Sequence, residues 1–266
     1  MNCFWIENSE YEIKKLRARS RGVAVLPLGS IESHGPHLPL GSDILCVDEL
    51  VRRVAEKETV AVLPTLAYSY VASARMLPGA IHTPTALLTA QVENICDEAC
   101  RNGFRKIVLL HGHGGNVGLH EGFLKQIKDK EKAYAVYSIP VFGSREKEIR
   151  GMMESKEDGH AGEFETSMNL VAAPGLVNLK ALGKRTFPSC PRPDVGAALT
   201  SVEWVAKHPF MAVGEPQKGN RAKGEKIYAI WTAEILDILR KIKKDRLTPA
   251  VMRSYSQRAN RLRNKA

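Results

Sequence analysis

Val23-Ala-Val-Leu-Pro-Leu-Gly-Ser-Ile-Glu-Ser-His-Gly-Pro-His-Leu-Pro-Leu-Gly-Ser-Asp43 opens with six apolar residues, passes through a loop punctuated by glycine and proline, and ends where an amphipathic run begins. Six apolar residues in succession suit a strand covered on both faces, because a half-exposed strand alternates apolar with polar. The run that follows, 44–57, repeats its apolar residues at the helical period. Strand, loop and helix make one βα unit, and the rhythm recurs along the chain. Strands are predicted at Val23–Leu28, Val60–Leu63, Ile107–Leu110 and Tyr134–Ile139, with helices at 44–57, 86–102 and 116–130. Gly103 follows the second helix where a terminating glycine belongs, and Asn116 is placed to cap the third. The alternation predicts an α/β fold, a single domain with a central, mainly parallel sheet flanked by helices in a three-layer arrangement. Right-handed crossovers gather the loops that follow strands at the carboxyl edge, so the chemistry is expected there. The order of the strands is not encoded in this pattern.

Further out, Ile227 to Ile242 is strongly periodic and predicts a long helix, while Gly183–Gly196 and Gly214–Gly224 read as surface loops suited to a lid or an oligomer contact. There is no internal repeat and no low-complexity linker. The expected organisation is one domain over 1–246 and a basic C-terminal tail over 247–266.

The chain has 266 residues, 44% of them hydrophobic, enough for one sizeable α/β core or two small ones. Its net charge of +10 raises the question of a nucleic-acid or membrane partner. Residues 240–266, however, hold ten basic residues and one acid, which leaves 1–239 at +1. The tail carries no aromatic residue besides Tyr255 after Arg253, so it offers little base stacking and reads as a solvated segment. A nucleic-acid-binding protein using this tail is the alternative from another class, and packing on a neighbouring subunit's acidic surface is a third. Without a signal-peptide pattern or an apolar run of about 18 residues, the reading is a soluble cytoplasmic protein with no membrane partner. The five cysteines, Cys3, Cys46, Cys96, Cys100 and Cys190, contain no Cys-x-x-Cys pair and sit mostly in apolar-periodic segments, as reduced structural thiols do.

Five of the eight histidines fall in three Gly-rich segments. The first follows strand Val23–Leu28 and holds Glu32, His34 and His37. Glu32 and His34, two apart, project to one side of an extended loop. Asp43 stands at the start of the next helix, where it is either a cap or a site residue. The second, His111-Gly-His-Gly-Gly-Asn116, follows strand Ile107–Leu110 directly. The third, Asp158-Gly-His-Ala-Gly-Glu-Phe-Glu-Thr166, sets His160 and Glu163 three apart, on one face if a helix has begun, with Glu165 on another. The set Glu32, His34, Asp43, His113 and Glu163 has the oxygen-and-imidazole composition of a divalent-metal site for zinc, manganese or iron(II). Its extra carboxylate suggests two metals bridged by Asp43. His160, beside the set, suits a proton shuttle to a departing nitrogen.

Taken together, the three segments resemble the creatininase (creatinine amidohydrolase) family. Leu26–Asp43 matches its E-x-H-G-x-H-L-P…D motif, Leu110–Asn116 its N-G-H-x-x-N motif, and Gly159–Ser167 its H-A-G-E-x-E-T motif; Pro78-Gly79 matches a family loop. The resemblance implies an α/β fold, two divalent metal ions, a small amide substrate and a homo-oligomer, commonly a hexamer. It assigns Glu32 and His113 to one metal, His34 to the other, and Asp43 to both. Creatinine-hydrolysing members carry Tyr-Glu, the Glu a metal ligand, where Gly114-Gly115 stands here. The fifth ligand is therefore expected from Glu163, with Glu165 second, and creatinine is disfavoured as substrate. The family's tryptophan shortly before the third-motif histidine is missing, and His111 replaces an Asn. The expected activity is hydrolysis of a C–N bond in a small non-peptide amide, cyclic amide or formamide. A metal-bridging hydroxide would attack the carbonyl, with His160 and Glu163 as the catalytic residues. Pyrimidine formamide hydrolysis and cofactor-precursor peptidase activity are the alternatives within the family. Substrate selectivity is expected from loops near Tyr68–Pro78, Phe142–Glu154 and Gly183–Gly196.

Overall fold

The computed structural model describes residues 2–130, 132–140, 144–191 and 194–263, so Phe142 of the second selectivity loop and Arg192 and Pro193 of the third lie outside the described residues. Its strands are β1 (Val23–Leu28), β2 (Ala61–Val62), β3 (Lys106–His111) and β4 (Ala135–Pro140). They form one parallel sheet in the order β2-β1-β3-β4, with Val25 level with both Val62 and Val108. The helices are α1 (Glu10–Arg19), α2 (Ser42–Ala55), α3 (Thr85–Arg101), α4 (Val117–Asp129) and α5 (Glu146–Arg150). After them come α6 (Glu163–Ala172), α7 (Glu203–Lys207), α8 (Arg221–Lys244) and α9 (Leu247–Arg263).

Every residue of β1 is buried, and its alternate side chains feed two cores. Val23, Val25, Val108 and Leu110 pack with α2, α6 and α8; Ala24, Leu26, Ile107 and Leu109 pack with α1, α3 and α4. This is the three-layer α/β architecture that the unbroken apolar runs require. Cys3 and Cys46 belong to the first core and Cys96 to the second. Gly103, at φ +91°, turns the chain out of α3 as expected. Asn116 stands at the start of α4 but does not cap it; its amide donates to Ser69 Oγ at 3.2 Å.

Both sheet edges are covered. Val62 N–H donates to Cys3 O at 2.8 Å along β2, and α9 lies against β4, with Met252 packed on the second core. Residues 247–263 therefore form a helix where the charge pattern suggested a solvated tail. Asp245 starts it by accepting the Leu247 and Thr248 N–H groups, and the Tyr137 hydroxyl donates to the same carboxylate at 2.9 Å. Lys106 Nζ caps the preceding helix from the other side, donating to the Ile242 and Lys243 carbonyls. Helix α8 begins six residues before the predicted Ile227, because Asn220 caps it by accepting the Lys223 N–H. The loop at Gly183 is pinned to Gly214 by a Phe187–Gly214 bridge. Among the described residues no helix is long and apolar enough to cross a membrane.

Candidate metal centre

In the order β2-β1-β3-β4 the chain leaves β1 toward β2 on one side and later sets β3 on the other, so a crevice opens between the carboxyl ends of β1 and β3. The loop after β1 carries Ser30, Glu32 and His34 into this crevice; the loop after β3 carries His113. Asp43 is the second residue of α2, past the cap position held by Gly41, and its carboxylate turns inward. The segment entering α6 brings His160 and Glu165.

Asp43 joins the two imidazoles. Its Oδ2 lies 2.8 Å from His113 Nδ1 and its Oδ1 lies 3.1 Å from His34 Nε2. Glu32 Oε1 is 2.9 Å from His113 Nδ1, and Glu165 Oε2 is 3.6 Å from His34 Nε2. Two groups result, Glu32–Asp43–His113 and His34–Asp43–Glu165, each with donor atoms within 4.8 Å of one another and with Asp43 common to both; Glu32, His34 and His160 form a third. The remaining ring nitrogens are anchored. His113 Nε2 donates to Tyr70 O at 2.8 Å and His34 Nδ1 lies 3.2 Å from Glu32 O, leaving His113 Nδ1 and His34 Nε2 turned to the carboxylates. Ser30 Oγ donates to Asp43 Oδ2 at 2.7 Å and sits 3.2 Å from Glu32 Oε1, so one hydroxyl aligns both acids.

His34 is fully buried, and Glu32, Asp43 and His113 are at most 6% exposed. Among the described residues no lysine or arginine pairs with Glu32, Asp43 or Glu165. Burial opposes charge on every group, but His34 is raised to about 10 by Asp43, and His113 is raised well above its ordinary value by Asp43 and Glu32. Asp43 is held well below the usual carboxylate range, burial being outweighed by the two imidazoles, and Glu32 is lowered by its bond to His113. Glu165 is pushed up to about 7, first by burial. Acids crowded this tightly draw positive charge onto the imidazoles, which is the environment that divalent cations satisfy when they replace those protons. The donor set fits such ions.

Glu163 is a correction. It was expected as fifth ligand and catalytic partner, yet its buried carboxylate accepts the Glu154 and Ser155 N–H groups and pairs with Lys223, away from the imidazoles. The reason is local. Helix α6 starts only at Glu163, so His160 stands in the preceding turn and the three-residue helical spacing does not relate them. Ala161, at φ +53°, bends that turn until its N–H reaches Glu165 Oε2 at 2.6 Å, and Glu165 faces His34 instead.

His160 stacks on His34 with ring centroids 4.2 Å apart and donates from Nε2 to Ser33 O at 2.8 Å. Burial, then the charge on His34, pushes it down to about 4. Trp204 of α7 stands edge-on to His160 at 5.6 Å, so an aromatic wall reaches the site from a distant part of the chain with no motif to announce it. Ser30 was also missed, although its two-residue spacing from Glu32 was the available signal. His37 ties the first loop to α6 through Thr166 Oγ1 at 2.8 Å, and Asn169 ties α6 to Ser42 at 2.6 Å. Gly115 leaves room for His113: a Cβ there would meet His113 Nε2 at 2.4 Å and Tyr70 O at 2.8 Å. A side chain at that position would require the His113 ring and the backbone at Tyr70 to shift. The centre opens into a cavity of about 1750 Å³ lined by Tyr70, Val71, Ser138, Trp204, Lys207 and Met211 among others.

The family model "Creatininase: Creatinine amidohydrolase" matches residues 7–239. Creatinine amidohydrolase of Pseudomonas putida is 29% identical over 250 residues, covering 87% of this chain and 93% of that protein. Mycofactocin precursor peptide peptidase of Mycobacterium tuberculosis is 27% identical over 231 residues, covering 82% and 83%. A solved structure of creatinine amidohydrolase (creatininase) superposes with a TM-score of 0.76 at 25% identity, covering 91% of this chain and 98% of that one.

Proposed function

The chain belongs to the creatininase family, and on that premise we propose that it hydrolyses a C–N bond in a small amide, cyclic amide or formamide other than creatinine. Two divalent ions would be held by Glu32, His34, Asp43, His113 and Glu165. The observation that carries the reading is Asp43, whose two oxygens separately face the two imidazoles that define the donor groups. Bound there, the ions would supply the Lewis acidity that polarises a carbonyl and makes water nucleophilic near neutral pH. The oxygen-and-imidazole set suits zinc, manganese or iron(II).

The chain's own groups do the rest. Ser30 and the Tyr70 carbonyl hold the donors in register. His160 donates Nε2–H to Ser33 O, which fixes its tautomer and leaves the Nδ1 lone pair to take a proton from water and return it to the departing nitrogen. Trp204 and Met211 give the cavity wall apolar surface beside these polar groups. A second reading, trimming of a short peptide, is favoured by the cavity of about 1750 Å³, larger than the roughly 300–1,000 Å³ of ordinary small-molecule sites. A homo-oligomer, a hexamer by family resemblance, belongs to the same proposal, and sedimentation velocity tests it.

Elemental analysis followed by assays on lactams, formamides and short peptides tests the activity. Turnover of one class, lost on chelation and restored by metal, is expected. A protein that takes up no divalent ion would contradict the proposal.

A further inference from the structure

One residue of the cavity lining, Ser138, is left idle by the hydrolytic reading and is held from outside that lining by two imidazoles. Ser138, on β4, lines the cavity with two imidazoles against its hydroxyl: His111 Nε2 is 2.9 Å and His120 Nδ1 is 3.0 Å from Oγ. The two rings meet edge to face with centroids 5.4 Å apart. Leu109 is level with Ser138 across the sheet, so His111, two residues further along β3, emerges on the same face, and α4 brings His120 over both. His111 is 3% exposed, and its Nδ1 has no hydrogen-bond partner among the described residues. A buried N–H without an acceptor is rarer and costlier than an unused lone pair, so the His111 proton belongs on Nε2, where it is donated to Ser138. One lone pair of the hydroxyl is then occupied, and its own hydrogen remains for His120 Nδ1 or for the cavity.

We propose that Ser138, held by His111 and His120, is a substrate-binding hydroxyl that donates to a carbonyl or carboxylate oxygen at the end of the substrate remote from the scissile bond. The proposal rests on the hydrolase reading and names a feature of its substrate. When such an oxygen arrives, His120 releases its proton from Nε2 and carries one on Nδ1, becoming a second donor to Ser138, and the serine hydrogen turns into the cavity. The exchange leaves the number of protons unchanged.

Calorimetric titration of the metal-loaded protein with aliphatic dicarboxylates, their monoamides and monocarboxylates of matching length tests this. Members of each set share one metal-seeking carboxylate and differ only at the far end; the monoamide separates a neutral carbonyl from a charged oxygen. At one chain length the dicarboxylate or the monoamide should bind about tenfold tighter than the monocarboxylate. Ser138→Ala should erase the difference and Ser138→Thr should keep it, with metal content and monocarboxylate affinity unchanged. Nitrogen-15 NMR should find His111 as the Nε2–H tautomer throughout and His120 gaining Nδ1–H with the preferred ligand. Equal affinities at every length, a preference that survives Ser138→Ala, or a proton on His111 Nδ1 would overturn the proposal. Wild-type protein that takes up no metal would instead remove the hydrolase reading beneath it.

Discussion

Charge gathers in two regions of this molecule and meets opposite fates. At the carboxyl edge of the sheet, Glu32, Asp43 and Glu165 crowd around His34 and His113, largely buried where the centre meets the cavity. At the C-terminal end, Arg246, Arg253, Arg258 and Arg261 stand exposed on or beside α9. Solvent and salt screen the second group within about 10 Å, whereas the first has only its own members to answer it. The difference teaches that the net charge of +10 is a property of the exposed end, and that the chemistry follows the buried groups, whose charges must be balanced by protons or by metal.

Substitutions in the two regions should therefore separate sharply. Asp43→Asn removes the carboxylate charge common to both donor groups, and metal content and hydrolysis should fall together to background; retention of either would break the contrast. Ser30→Ala leaves every donor in place but frees Glu32 and Asp43 from their shared hydroxyl, so metal affinity measured by competition with a chelator should drop about 10- to 100-fold. Glu163→Gln takes a buried charge from Lys223, which keeps Glu154 as a partner. Its expected cost is about 1–3 kcal/mol in denaturant unfolding, with metal content intact. Arg253→Ser and Arg258→Ser, on the exposed side of α9, should each change stability by less than about 0.5 kcal/mol and leave metal uptake as it was. A large effect there would give the basic end a role that its exposure does not suggest.

The same contrast explains what the sequence disclosed. Strand Val23–Leu28 was legible to its ends because burial on both faces leaves an unbroken apolar run. The edge strand Ala61–Val62 is shorter than predicted, and its outer side pairs with Cys3 and Phe4, which its local pattern does not announce. The opening turns of α8 were hidden because Arg221–Lys226 has no apolar period; its start is set by the Asn220 cap. Helix α9 was hidden for a related reason: it carries Met252 onto the second core and is started by Asp245, which also accepts from Tyr137 of β4, and neither contact shows as an apolar period. Glu32, His34, Asp43 and His113 were legible as a set because each lies in a Gly-rich segment following a strand or at a helix start. The choice between Glu163 and Glu165 was not, because it hangs on where α6 begins and on the left-handed conformation at Ala161, and neither leaves a mark in residue spacing. Trp204 and Ser138 reach the cavity from segments without any motif, placed there by tertiary packing alone.

The two acids of α6 give the most direct test of the centre. Both variants, Glu163→Gln and Glu165→Gln, should be loaded with zinc or manganese, desalted and measured for metal per chain by elemental analysis alongside the wild type. The account predicts two ions for the wild type and for Glu163→Gln, and loss of the ion at the His34 position in Glu165→Gln. Two ions retained by Glu165→Gln together with loss in Glu163→Gln would contradict it.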